Sequence, residues 1–172
     1  LKSNILNETN EGVFDLTGTG ITKLNGTSQQ SINGSIVFDN VYFDNSLGFI
    51  IPNSTIISIS ENMSFINGVV FSEGKVNFLK GATYVGASDY SHVDGVVGKI
   101  GNDGFVFPIG DGMKFRPLKI SSPDNLDDQF EVEYMPVAHS SSGGLTEGAL
   151  RKVCTGGEYW RINRVTGLST VK

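Results

Sequence analysis

Cysteine is nearly absent from this 172-residue chain. Cys154 stands alone, which excludes an internal disulfide framework and any Cys-x-x-Cys metal pair. Unpaired, it reads as a small buried hydrophobe. Histidine is almost as scarce: His92 and His139 lie 47 positions apart with no HExxH or comparable ligand spacing beside either, so each reads as an ordinary polar residue. No run approaches the ~20 consecutive apolar residues that a membrane-spanning helix needs, and this segment is expected not to insert into a membrane. The opening "LKSNILNETNEG" lacks the charged and apolar regions of a signal peptide. Charge is sparse too, at 18% of residues. Thirteen Lys plus Arg against 18 Asp plus Glu leave a net charge of −5, a surface that repels nucleic acid and anionic lipid.

What the chain has in quantity is turn chemistry: 22 glycines, and 14 asparagines of which 11 fall in the first 77 residues. Residues 12–87 are short runs of Val, Ile, Phe, Tyr and Thr punctuated by Gly, Asn, Ser and Asp, the pattern of strands and tight turns rather than helix. Val41-Tyr42-Phe43, Ile57-Ser58-Ile59 and Val76-Asn77-Phe78 recur 16 and then 19 residues apart, a spacing suited to repeats. A stack of parallel coils fits it, and so does a meander of hairpins. Asn25-Gly26, Asn33-Gly34 and Asn67-Gly68 provide the hairpin signal. The Asn-containing corners of "FDNVYFDNSLGFIIPNSTIISIS" favour the coil, because asparagine tolerates the left-handed conformation and ladders with its neighbour.

Beyond residue 94 the pattern changes. Residues 96–109, "VVGKIGNDGFVFPI", read as a hairpin turning at Gly101-Asn102-Asp103-Gly104. "QFEVEYMPV" alternates, with Phe130, Val132 and Tyr134 on one side and Glu131 and Glu133 on the other, as in a half-buried antiparallel strand. "EYWRINRV" starts another, and the intervening "AHSSSGGLTEGALRKVCTGG" is loop-like, with "LTEGALRK" its one helical turn. The expected fold is all-β: a right-handed β-solenoid over residues 1–94, then a partial antiparallel β-sandwich over 95–172. The final "RVTGLSTVK" reads as a strand cut short, as in a segment of a longer protein.

Few residues offer chemistry. Gly110-Asp111-Gly112, between Phe105, Phe107, Phe115 and Leu118, reads as a chain reversal: glycines at positive φ, the aspartate capping the turn, and Arg116 pairing with Asp111 or Glu133. Asp111 alone falls short of the six to eight oxygens calcium takes. Asp124, Asp127, Asp128 and Glu131 form the best candidate for a calcium site, although they lack the order of a calcium loop and read first as a solvated approach to a strand. No other cofactor is expected. His139 beside Ser140–Ser142 lacks a nucleophile elbow. Asp39 and Asp44 are a candidate carboxylate pair for sugar chemistry, and read more simply as corner residues. Asn-x-Ser/Thr sequons begin at Asn7, Asn25, Asn33, Asn53 and Asn62, again corner residues first. No catalytic residue is assigned.

The stretch "YSHVDGVVGKIGNDGFVFPIGDGMKFRPLKIS", residues 90–121, resembles a segment of large secreted surface proteins of Bacteroidetes, the gliding-motility and adhesin-like proteins exported by the type IX secretion system. The match is strongest over Phe105–Leu118. Upstream, residues 24–74 look like the repeats that precede it, and "EYWRINRVTG" looks like the Tyr-Trp strand that follows. The resemblance implies β-helical repeats and a secreted or cell-surface protein, non-catalytic, acting in adhesion or gliding-type motility. Its partners would be a surface glycan or protein ligand and components of the secretion or motility machinery. The alternative is a carbohydrate-active β-helix, lyase-like or sugar-binding, with Tyr42, Tyr84 or Tyr90 lining a groove.

Overall fold

A computed structural model of the chain describes residues 1–6, 14–137 and 157–172. Among these residues the secondary structure is all strand, and no helix long and apolar enough to cross a membrane is present. The chain winds into a β-solenoid of about four turns whose strands form three parallel ladders. The first contains β1 (Ile5–Leu6), β3 (Gln30–Asn33), β5 (Phe49–Ile51) and the starts of β7 (Val70–Phe78) and β9 (Val93–Ile100). The second joins the first halves of β2 (Phe14–Leu24), β4 (Ser35–Asp44) and β6 (Ile56–Asn67) to the ends of β7 and β9. The third joins the second halves of β2, β4 and β6 to β8 (Thr83–Val85).

Alternation decides which side chains enter the coil. In the second ladder Ile36, Ile57, Val76 and Val97 pair in succession, spacing the coils by 21, 19 and 21 residues, and all four are buried. Phe38, Ile59 and Phe78 form a parallel row beside them, while Phe49, Val70 and Val93 fill the coil from the first ladder. Each such side chain contributes about 1.5–3 kcal/mol on burial.

The repeat is real but its register differs from that read in the sequence. Ile57–Ile59 do lie against Val76–Phe78, whereas Val41–Phe43 pair with Met63–Phe65 in the third ladder. Alternation marks inside from outside and carries no label for the ladder. The Asn-Gly pairs join strands of different ladders instead of closing hairpins: Gly34 follows β3 and Gly68 follows β6, both at positive φ. Asparagine is not the left-handed residue; among the described residues only Ser54 is a non-glycine at positive φ. Asn45 serves by its side chain, buried, donating to Ser28 O at 2.7 Å and accepting from Leu47 N at 3.1 Å. Asn62 lies within β6, against Asn40, and accepts from Thr83 Oγ1 at 3.2 Å.

The boundary expected at residue 94 falls inside β9. One edge of β9 continues the parallel stack on β7, and the other pairs antiparallel with β12 (Gln129–Met135), which pairs in turn with β13 (Tyr159–Thr166). The solenoid thus passes into an antiparallel sheet without a break, and Val132 and Phe130 prolong the two core rows past Val97 and Lys99. Residues 96–109 are not a hairpin: β10 (Phe105–Phe107) leaves β9 and pairs with β11 (Leu118–Ile120) in a separate two-stranded sheet. That sheet covers the core, with the Phe105 ring 5.1 Å from Phe78 and 5.9 Å from Tyr84. After Thr166 the chain does not continue as a strand; Lys172 returns to Ser121, whose N–H donates to its carbonyl at 2.8 Å.

Candidate functional site

Gly110-Asp111-Gly112 is a structural turn. Gly110 and Phe115 form an antiparallel bridge, and Asp111 Oδ1 accepts from Met113 N at 3.0 Å and Lys114 N at 2.7 Å, capping the reversal as its sequence implies. Those bonds and Arg116 hold the Asp111 carboxyl below its usual range against the opposing effect of burial. The two glycines act differently. Gly112 adopts φ +78°, whereas at Gly110 a Cβ would lie 2.2 Å from Lys114 O and 2.5 Å from the His92 ring. Phe105 packs on Phe107, opposite Leu118, but Phe115 goes to His92, with ring centres 6.3 Å apart.

His92 is fully buried. Its Nδ1 lies 2.9 Å from Ser88 O, a contact in which the nitrogen must donate. His92 thereby stitches the Ser88–Ser91 turn to the Gly110–Gly112 turn. Arg116 ties the same region to the antiparallel sheet, with Nε 3.7 Å from Asp111, Nη2 3.7 Å from Glu158 and the guanidinium 5.6 Å from the Tyr134 ring. Of the two expected partners of Arg116, Asp111 is the one engaged, and Glu133 pairs with Arg161. Trp160 Nε1 completes the link, donating to Arg116 O at 2.9 Å.

The four calcium candidates are dispersed in role. Asp128 is buried and accepts from Ser169 Oγ and, at 3.1 Å, from Asn125 N, which keep its pKa low. Glu131 pairs with Lys75 at 2.6 Å, while Asp124 and Asp127 are exposed. Among the described residues no group of three or more His, Cys, Asp or Glu side chains is arranged to hold a metal ion. Asp39 and Asp44 flank the third-ladder stretch of β4. Asp39 accepts from Ser60 Oγ and Gly18 N; Asp44 pairs with Lys23 and accepts from Asn67 Nδ2, both at 2.8 Å, and these partners lower its pKa. Each is a corner tie. Asn33 and Asn53 bond locally, to Ser31 Oγ and Ser54 N. Cys154, His139, Ser140–Ser142, Asn7 and the "LTEGALRK" turn lie outside the described residues.

The tyrosines separate. Tyr84 follows Met63 in the inward row, packs on Phe65 and Phe78 with ring centres 5.9 Å away, and has its phenol pKa raised by burial, so it lines no groove. Tyr42 faces outward beside Ser64. Tyr90 projects from the Ser88–Ser91 turn with 84% of its surface exposed. Around it lies a surface that the sequence did not single out. Successive corners bring Leu47, Tyr90 and Met113 together over Gly48, Gly68 and Gly112. Phe71 belongs to this hollow and to a second one containing Ile50, Asp94 and Glu133. Glu133 leads on to a third, where β12 and β13 diverge from β9 at Val96 and Ile162 is half exposed. The three hollows adjoin at Phe71 and at Glu133 and together make a shallow groove. The signal for it was the outward positions Ile50 and Phe71, legible only once the ladder register is known.

Fold and groove define the class, a parallel β-solenoid continued by an antiparallel sheet and carrying a surface groove. The chain has no significant match among protein-family models, curated proteins or solved structures.

Proposed function

We propose that the chain is a non-catalytic secreted or cell-surface protein, a stiff stalk with a binding surface that acts in adhesion or gliding-type motility. The observation that carries this reading is the uninterrupted core row Ile36, Ile57, Val76, Val97 and Val132, which makes stalk and sheet one continuous packed body. Stacked strands about 4.8 Å apart resist bending and hold a groove away from the surface the protein stands on. The engagement of Asp39 and Asp44 by neighbouring donors favours this over a carbohydrate-cleaving reading. Export by the type IX route rests on the resemblance carried by Phe105–Leu118.

The test is to present the chain to immobilised glycans and proteins while assaying polysaccharide breakdown. Saturable retention without breakdown is expected. Breakdown that disappears in Asp39→Asn or Asp44→Asn would overturn the proposal, as would a chain that is retained by nothing.

A further inference from the structure

The groove has an apolar end and an acidic middle. Leu47, Tyr90 and Met113 expose 57%, 84% and 79% of their surfaces, and Phe71 41%. These side chains stand on a rigid base: Gly48 N bonds Asn45 O at 2.8 Å, Gly68 N bonds Tyr90 O at 3.1 Å, and Ser88 and Ser91 bond each other at 2.9 and 3.1 Å. A ligand therefore has little backbone to order. In the middle, Ile50, Phe71 and Asp94 are register neighbours on β5, β7 and β9, all facing outward. Phe71 and Asp94 converge on Gly112, where a Cβ would be 3.2 Å from the Phe71 ring and 3.0 Å from Asp94 Oδ2.

Asp94 differs from Asp89, Asp111 and Glu133, while Glu73, exposed on the same hollow, likewise has no ion pair among the described residues. Asp89 is paired with Lys114 at 2.8 Å, Asp111 with Arg116, and Glu133 with Arg161. Among the described residues neither a hydrogen bond nor an ion pair reaches the carboxylate of Asp94, whose backbone lies in the β7–β9 ladder. Burial raises its pKa, and the neighbouring Asp111 and Glu133 charges add to the effect while His92 opposes it. A partly desolvated, unpaired carboxylate against an aromatic ring is complementary to a cation, which gains both the charge and the ring face.

We infer that this groove binds an extended peptide segment of a partner protein, with a Lys or Arg side chain at Asp94 and Phe71 and apolar side chains on Tyr90, Met113 and Leu47. Met and Leu at the apolar end suit peptide side chains, because flexible thioether and aliphatic groups repack around varied apolar shapes. The negative middle repels acidic polysaccharide. The inference rests on the adhesive reading above and names the surface that would carry it.

The experiment is fluorescence anisotropy at physiological salt with a labelled nonapeptide that has leucine and tyrosine at its ends and two lysines at its centre. A control peptide carries glutamate in place of lysine. The lysine peptide should saturate, and the control should bind at least about ten-fold more weakly. Asp94→Asn should weaken binding by about ten-fold, as should Tyr90→Ala combined with Met113→Ser, while Asp127→Asn on a remote loop leaves it unchanged. Thermal unfolding of each variant reports that the fold is intact. Equal losses in Asp94→Asn and Asp127→Asn would reduce the effect to net charge and overturn the inference. So would absence of peptide binding alongside binding of a neutral glycan that Tyr90→Ala abolishes. If Asp94→Asn loses nothing and the chain still adheres, the groove assignment fails and the adhesive reading stands; if the wild-type chain adheres to nothing, the adhesive reading itself fails.

Discussion

Lys99 occupies a position that the fold reserves for an apolar side chain. It follows Phe38, Ile59 and Phe78 in the same inward row and is 2% exposed. Its Nζ is accommodated by Leu79 O at 2.8 Å, Asp103 at 3.5 Å and the Phe105 ring at 5.4 Å, yet burial still lowers its pKa, with Asp103 only partly offsetting this. The unfolded chain therefore binds the Lys99 proton more tightly than the folded one. This cost is present at neutral pH and disappears as pH rises towards the ordinary value of 10.5. Lys99→Met should raise the unfolding midpoint at pH 7, with the difference narrowing as the pH approaches 10. Asp94 gives the acidic counterpart. Its raised pKa means that a favourable term, present below 3.8, is lost as pH rises through the folded value, so Asp94→Asn should stabilise the protein at pH 7 and not below about pH 4. Thermal scans across pH check both signs. A variant that loses binding while gaining stability would mark Asp94 as kept for its contacts with a ligand.

Among the elements, the Asp111 turn was the most legible. Two glycines around an aspartate between apolar runs specify a reversal, and the side chain caps it through Met113 N and Lys114 N. Asp111→Ala should cost about 1–2 kcal/mol in denaturant unfolding, and Asp111→Asn should recover most of it because an amide oxygen can accept the same bonds. Gly110→Ala should cost more than Gly112→Ala, since the first meets Lys114 O and the His92 ring while the second meets mainly an unfavourable φ. The reverse order would contradict the geometry. Other elements were half legible. The alternation of Phe130, Val132 and Tyr134 gave β12 and its buried face directly. The partner of each solenoid strand was not legible, because Val41–Phe43 and Ile57–Ile59 look alike and only the corner geometry sends them to different ladders. The separate β10–β11 sheet was missed for a related reason. A Gly-rich turn at Gly101–Gly104 implies reversal, but β9 has both edges occupied by β7 and β12, so β10 must find another partner. The groove was invisible in the sequence because its residues come from corners about a coil apart.

For the whole molecule, β9 is the joint that matters. It is the last parallel strand of the second ladder and the first strand of the antiparallel sheet, so the two parts share one set of hydrogen bonds and one core. Unfolding should therefore be a single transition. Ile57→Ala in the solenoid should destabilise it by about 3 kcal/mol and Phe130→Ala in the sheet by about 3–4 kcal/mol, each shifting the same transition in calorimetry. A second transition that responds to only one of the two would show that the parts melt separately. The change of direction at β12 has an evolutionary reading as well. A parallel ladder can be lengthened by copying a coil, because every new strand meets an edge identical to the one it displaces. An antiparallel strand ends that equivalence, so copying past β9 has nothing to register on. Length in this rod can therefore grow only upstream of β9, one coil and about 4.8 Å at a time, while the groove formed around the last coils keeps its shape. On the adhesive reading proposed above, reach can vary without altering grip.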